Sequence, residues 1–192
     1  MKGSNAGSFF PAFPATKGKN MSRKICLLFA FCLVGCAFPA TKEGMTLTDY
    51  SAPKQTGDKI FVKESTGGST TLPFWISEIP NDNFTEAVKL SLLRSKAFGA
   101  LSSSWGEDWG LELEIREVNK PMFGFDLTVT TDIKYTVYLA GKKVYETDIR
   151  ETGTATMNDS FFAIARLRIA NENSARTNIR KFIEELSKQS LK

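Results

Sequence analysis

Histidine is absent from this 192-residue chain. Without it the commonest general base, the Ser-His and Cys-His nucleophile pairs and the usual nitrogen ligand of zinc are all missing. Cysteine is nearly as scarce. The chain has three, Cys26, Cys32 and Cys36, all in one short N-terminal stretch, so no disulfide framework can staple the residues that follow. A long apolar run is lacking as well. The most apolar stretch, Ile25 to Val34, covers ten residues, whereas crossing a hydrocarbon core takes about twenty. Excess charge disappears once the chain is divided at Cys36. Of the 25 basic residues, Lys2, Lys17, Lys19, Arg23 and Lys24 lie upstream, which leaves 20 basic against 21 acidic residues downstream. Nucleic-acid binding thereby loses the basic balance that would have argued for it.

What the N-terminal stretch does contain is organised. Arg23 and Lys24 lead into the apolar run, and small residues close it. A basic start, a short apolar segment and a small-residue end describe an export signal. Leu33-Val34-Gly35-Cys36 resembles the lipobox of bacterial lipoproteins, which implies that Cys36 becomes the lipidated first residue of the mature protein. Residues 1–20 then read as an extended or mis-assigned leader with Met21 as the expected initiator, and 21–35 as the lipoprotein signal peptide. The pentapeptide Phe13–Lys17 recurs at Phe38–Lys42, but two copies of five residues define no stacking repeat. From Cys36 to about residue 58, Pro, Thr, Lys, Gly and Ser dominate. This composition reads as a flexible tether lifting a domain off a bilayer; the competing reading is the edge of the domain itself, with Tyr50 docked there.

Residues 59–192 have the size of one domain. Lys59–Lys63 is a β-prone run closed by Gly67-Gly68, and Thr71–Ile76 could add an edge strand despite Pro73. Asn81 or Asp82 can cap a helix carrying Phe84, Val88, Leu92 and Leu93 on one side, with Gly99 as its stop. From Trp109 the period falls to two. Leu111, Leu113 and Ile115 alternate with Glu112, Glu114 and Arg116, and the odd positions from Phe125 to Leu139 are apolar apart from Thr131. Ala140-Gly141-Lys142-Lys143 then reads as a tight reversal into Val144–Thr156, completing a three-stranded meander. A long helix follows from Asp159 or Ser160, with Phe162, Ala165, Ile169, Ile179, Phe182, Ile183 and Leu186 as its stripe. Its middle is polar, with Asn173 and Arg176 where the stripe would continue, and reads as an overhang solvated beyond the sheet. The predicted class is α+β, a two-layer sandwich in which two helices cover one face of an antiparallel sheet of about four strands, in the order β-α-β-β-β-α.

A lipobox, a spacer and this element order resemble the small envelope lipoproteins of the YajG type and, more loosely, the LptE-like and transport-auxiliary lipoproteins. Phe84–Leu92 and Glu172–Ile179 are similar to the two helices of such proteins. The resemblance implies an accessory component of an envelope assembly and carries over no catalytic residue. Ala37 after the lipidated cysteine resembles lipoproteins sent to the outer membrane, on the leaflet facing the periplasm.

Catalytic candidates fare poorly on their own terms. Glu107-Asp108, or Glu112 with Glu114, could be paired carboxylates for glycan cleavage, yet Glu112 and Glu114 share the wet side of a strand. Ser102-Ser103-Ser104 offers nucleophiles without a base, and Gly67–Thr71 lacks the lysine and helix of a phosphate-binding loop. No catalytic residue, cofactor or metal is expected. The aromatic residues Phe74, Trp75, Trp105, Trp109, Phe123 and Phe125 lie in or beside loops and can anchor a partner. Trp105, Trp109 and Phe123, with Trp75, are the candidate partner-binding set, expected at one end of the sheet and directed at another envelope protein. A lipid or glycolipid carrier is the alternative and would need an apolar cavity between helices and sheet.

Overall fold

Strict alternation makes one face of each long strand apolar, and that face must be covered. The computed structural model describes residues 37–71, 76–121 and 124–191. Along the chain run α1 (Lys42–Met45), β1 (Gly57–Val62), α2 (Asn81–Arg94), β2 (Phe98–Leu101), β3 (Trp109–Asn119), β4 (Leu127–Leu139), β5 (Lys142–Ala155) and α3 (Ala163–Lys188). One five-stranded sheet forms in the order β2-β1-β3-β4-β5. Ile60, Val62, Leu111, Leu113, Ile115, Ile133, Tyr135, Val137 and Ile149 are buried on one face with Phe84, Val88 and Leu92 of α2 and Ile179, Phe182 and Leu186 of α3. The expected α+β layering and the β3-β4-β5 meander are present.

Four details depart from expectation. The sheet is mixed and has five strands, because β1 pairs in parallel with both β2 and β3. Phe98–Leu101 is only four residues with Gly99 inside it, too short to show a period; β1 supplies its partner. The stop of α2 is Lys96, whose φ of 59° is left-handed, rather than Gly99. Strand β4 begins at Leu127 and leaves Phe125 82% exposed, and α3 begins at Ala163 with Phe162 exposed before it. The edge strand proposed around Pro73 falls on residues 72–75, outside the described residues.

The segment expected as a tether is packed from Ala37 onward, so the domain's own edge is the reading that holds. Ala40, Met45 and Leu47 are fully buried. Thr41 caps α1, its Oγ1 accepting from the Gly44 N–H at 3.1 Å. Its own N–H and hydroxyl donate to Glu172 Oε1 on α3 at 2.9 and 2.8 Å. Arg176 Nη1 donates to the Gly44 carbonyl at 3.0 Å, and the Leu47 N–H donates to Ser91 Oγ on α2 at 3.0 Å. Composition misled here because a few well-placed apolar residues suffice when two helices leave a groove between them.

The polar middle of α3 is likewise not an overhang. Asn171, Ser174, Ala175 and Asn178 are fully buried and continue the stripe one position away from Asn173 and Arg176. Tyr135, stacked on Phe182 with ring centroids 4.1 Å apart, donates its hydroxyl to Asn178 Oδ1 at 2.9 Å. Asn178 Nδ2 donates to the Ile149 carbonyl at 2.8 Å, and Ser174 Oγ to the Glu151 carbonyl at 3.0 Å. Small residues let the helix sink, and Gly153 of β5 permits contact of backbone with backbone. A Cβ there would stand 2.0 Å from the Ser174 amide nitrogen.

Gly153→Ala is therefore expected to lose about 3 kcal/mol by overpacking, with an unchanged m-value in urea unfolding. Asn178→Ala should cost about 2–4 kcal/mol, since it strands the Tyr135 hydroxyl and a buried carbonyl. In the β4-β5 reversal, Ala140 and Gly141 have φ of 49° and 75°, so Ala140→Asn should gain about 0.5–1 kcal/mol in the same assay.

Candidate functional site

Strands β2 and β3 flank β1, and both reach Ile60: Leu101 and Trp109 each pair with it. Residues 102–108 must therefore step across β1, and they do so over the sheet face opposite the helices. On that face Phe61, Gly110 and Tyr138 lie side by side across β1, β3 and β4. The missing side chain of Gly110 leaves a gap, and Trp105 of the crossing loop fills it. A Cβ on Gly110 would meet the indole at 2.8 Å. The Trp105 ring stands edge-on to Phe61 at 5.8 Å and to Tyr138 at 5.1 Å, and remains 39% exposed.

Charge frames this aromatic platform. Lys63 Nζ lies 5.8 Å from the Trp105 ring and 3.0 Å from Glu112 Oε1, while the Tyr138 hydroxyl donates to Glu112 Oε2 at 2.8 Å. A few positions along, Lys134 and Lys143 each reach Glu146 Oε2 at 3.2 Å. Between these pairs runs an open groove of about 320 Å³ that includes Thr66, Glu114 and Thr136. The hydrogen bond from Lys63, supported by that from Tyr138, holds the Glu112 carboxyl below the usual range. Donation to Glu112 raises the Tyr138 hydroxyl, and Lys134 followed by Lys143 lowers Glu146. Such a surface offers stacking and ion pairing; of its carboxylates, Glu112 and Glu146 are engaged by lysines or a hydroxyl, while Glu114 and Glu64 face water.

The predicted partner-binding residues separate. Trp105 is on the platform. Trp109 has the parity of Leu111 and turns to the helix side, edge-on to Phe98 at 5.9 Å and against Gly57. Phe123 and Trp75 lie outside the described residues, and the residues flanking Phe123 belong to the connection at the far end of β3 from Trp109. Phe61, Lys63 and Tyr138 were missed as partners of Trp105. The available signal was Gly110, a glycine at a water-facing position of an otherwise regular strand. Cys36 is outside the described residues.

The other sequence candidates have structural employment. Glu107 accepts from Ser104 Oγ at 2.9 Å, and Ser102 Oγ bonds the Ser104 carbonyl at 3.1 Å, which makes the serine run a turn. Gly67, with φ of 81°, packs against the Ile115 carbonyl, and the Gly68 N–H donates to Asn81 Oδ1. Among the described residues no cluster of three carboxylates or thiols is arranged for a metal, and no helix is long and apolar enough to cross a membrane.

Compared with known proteins, the chain matches no family model and no curated protein. Solved structures do match. A Xanthomonas campestris protein of the family-model DUF330 superposes with a TM-score of 0.56 at 12% identity, over 74% of this chain and 92% of that one. A minor lipoprotein from Acinetobacter baumannii gives a TM-score of 0.46 at 9% identity, over 70% and 95% of the two chains. The first likeness shows a shared fold.

Lys63→Met should move the Glu112 titration midpoint upward toward the ordinary carboxylate range, with the Tyr138 hydrogen bond left in place, read by NMR of the carboxyl carbon. The sign of the linked stability is fixed. A lowered carboxylate contributes above its unfolded value and loses that contribution as pH falls through the folded one. With both groups open to water the contribution is about 1 kcal/mol or less. An unmoved midpoint would show that Lys63 does not engage Glu112 in solution.

Proposed function

We propose that this protein is a lipid-anchored, non-enzymatic envelope lipoprotein, held by Cys36 and acting as an accessory or binding component of a larger envelope assembly. The observation that carries the binding role is the seating of Trp105 in the Gly110 gap. An indole seated against the sheet at Gly110, partly open to water and ringed by Lys63, Glu112 and Tyr138, has the make-up of an interface anchor: a rigid aromatic with a polar rim. The lipobox resemblance supports the anchoring, and Ala37 supports the periplasmic leaflet of an outer membrane as its address. The shared fold with the DUF330 protein is compatible with this role and gives no partner. The carrier alternative draws no support from the interior, where Tyr135 stacks on Phe182 and the helix backbone touches β5.

The test is capture of the mature protein from crosslinked envelopes. Trp105→Ala and Tyr138→Ala are expected to lower the yield of a defined copurifying component roughly tenfold, while the thermal midpoint stays within a few degrees. Cys36→Ser should release the protein from the membrane fraction. Undiminished capture in both aromatic variants would overturn the platform as the binding surface, and recovery of bound lipid without protein would favour the carrier.

A further inference from the structure

A second aromatic surface exists, distinct from the platform and at the opposite end of the sheet. Strand pairing of Leu127 with Ala155 brings Phe125 and Met157, each two residues beyond that pair, to one end. Phe161 and Phe162 precede α3 at the same end, their rings 5.9 Å apart. Phe125 is 82%, Phe161 77% and Phe162 53% exposed. Phe125, Met157, Phe161 and Arg166 border an open groove of about 340 Å³, with Phe162 beside it through its contact with Phe161. Arg166 is itself buried, donating to the Ser160 and Phe161 carbonyls at 2.9 and 2.8 Å, so the loop that displays these aromatics is held rather than loose. Exposing this much aromatic surface is costly in water.

The course of the N-terminal segment says what covers it. Asn171 of α3 bonds the Ser77 carbonyl, and Ser77 Oγ bonds the Phe38 carbonyl. Thr41 then meets Glu172, and Gly44 meets Arg176. The segment thus runs along α3 in the same direction as the helix, and toward its beginning it heads for the helix N-terminus where Phe161 and Phe162 sit. Ala37 is already buried, while Phe38 and Ile76 are exposed beside it. Cys36 is the next residue in the chain, and one residue spans at most about 3.8 Å. No slack remains between a lipid on Cys36 and the domain.

We infer that Phe38, Ile76, Phe125, Met157, Phe161 and Phe162 form a face that inserts into the interfacial region of the phospholipid bilayer that holds the anchor. This rests on the lipidation of Cys36 proposed above. Apolar side chains at the headgroup boundary add to the hold of a lipid anchor. They also fix orientation, which a chain of lipid alone does not.

The experiment uses the processed, lipidated protein in vesicles of phosphatidylethanolamine and phosphatidylglycerol. A single cysteine is added as Phe161→Cys, Phe125→Cys or Lys142→Cys, the last at the other end of β5, and labelled with an environment-sensitive dye. The expected result is a blue-shifted emission at positions 161 and 125 that loses roughly half its intensity to spin label placed high on the acyl chains, with position 142 unaffected. Floating protein whose labels at 161 and 125 stay unquenched would overturn the inference and point to a protein cover for this face. Equal quenching at all three positions would overturn it too, because the domain would then lack a preferred orientation. Protein that fails to float would overturn the anchoring itself and the inference with it.

Discussion

The close approach of α3 to β5 is the constraint on which the rest of the molecule depends. At Gly153 the helix backbone touches the strand backbone, and helix and strand at that spacing exclude any large side chain between them. The helix accordingly presents Ala170, Ser174, Ala175 and Asn178 there, and reserves Ile179, Phe182, Ile183 and Leu186 for the wider space beyond. Small polar residues at such a contact would be costly if left unpaired. Here they complete hydrogen bonds to the Ile149 and Glu151 carbonyls and the Tyr135 hydroxyl. Because these bonds demand one azimuth and one height of the helix, they set its register on the sheet in a way that an oily stripe alone would not.

Consequences propagate outward from that register. Once α3 is fixed, Glu172 and Arg176 point outward at defined positions and clasp the segment from Thr41 to Gly44. Met45 and Leu47 then fill the groove toward α2. Both helices and the N-terminal segment are thereby committed to one face. The other face is left with Lys63, Glu112, Lys134, Glu146 and the single large aromatic of the crossing loop. The division into a structural face and a free face is the outcome of helix packing, and the free face is where ion pairs of small individual worth surround a side chain able to contribute much more to binding.

How much of this could be read in advance follows from how local each signal is. The meander was legible because alternation runs through β3, β4 and β5 and burial obeys it almost residue by residue. The apolar half of α3 was legible for the same reason. The sunken half was not, since Asn171, Ser174 and Asn178 look like a wet surface until Gly153 is known to lie beneath them. Strand β2 and the docking of residues 37–47 depend on partners far away in sequence; Gly99 inside β2 reads as a helix stop, and composition reads the N-terminal segment as a tether. At the platform, Trp105 was identifiable as a loop aromatic, but grouping it with Trp109 overlooked that strand parity turns Trp109 to the helix side while the crossing loop sets Trp105 on the other face. The residue that explains the site is Gly110, whose meaning is the absence of a side chain.

Strand length separates the two exposed aromatic surfaces. Eleven residues of β4 separate Leu127, near the aromatic end at Phe125, from Tyr138 on the platform, and at about 3.3 Å per residue the two lie roughly 35 Å apart. A bilayer contact at the first end, as inferred above, would stand β4 and β5 away from the membrane and carry the platform to the far tip. Anchor-side aromatics would thus compensate for the missing tether: with the segment after Cys36 folded onto α3, distance from the bilayer is supplied by rigid strand length instead of by loose chain. A rigid spacer of this kind would hold Trp105 at one height and one heading, and would lower the entropy lost on docking compared with a domain swinging on a flexible stalk. On the proposed reading, the same packing that buries Ala37 and Met45 would serve binding at the opposite end of the sheet.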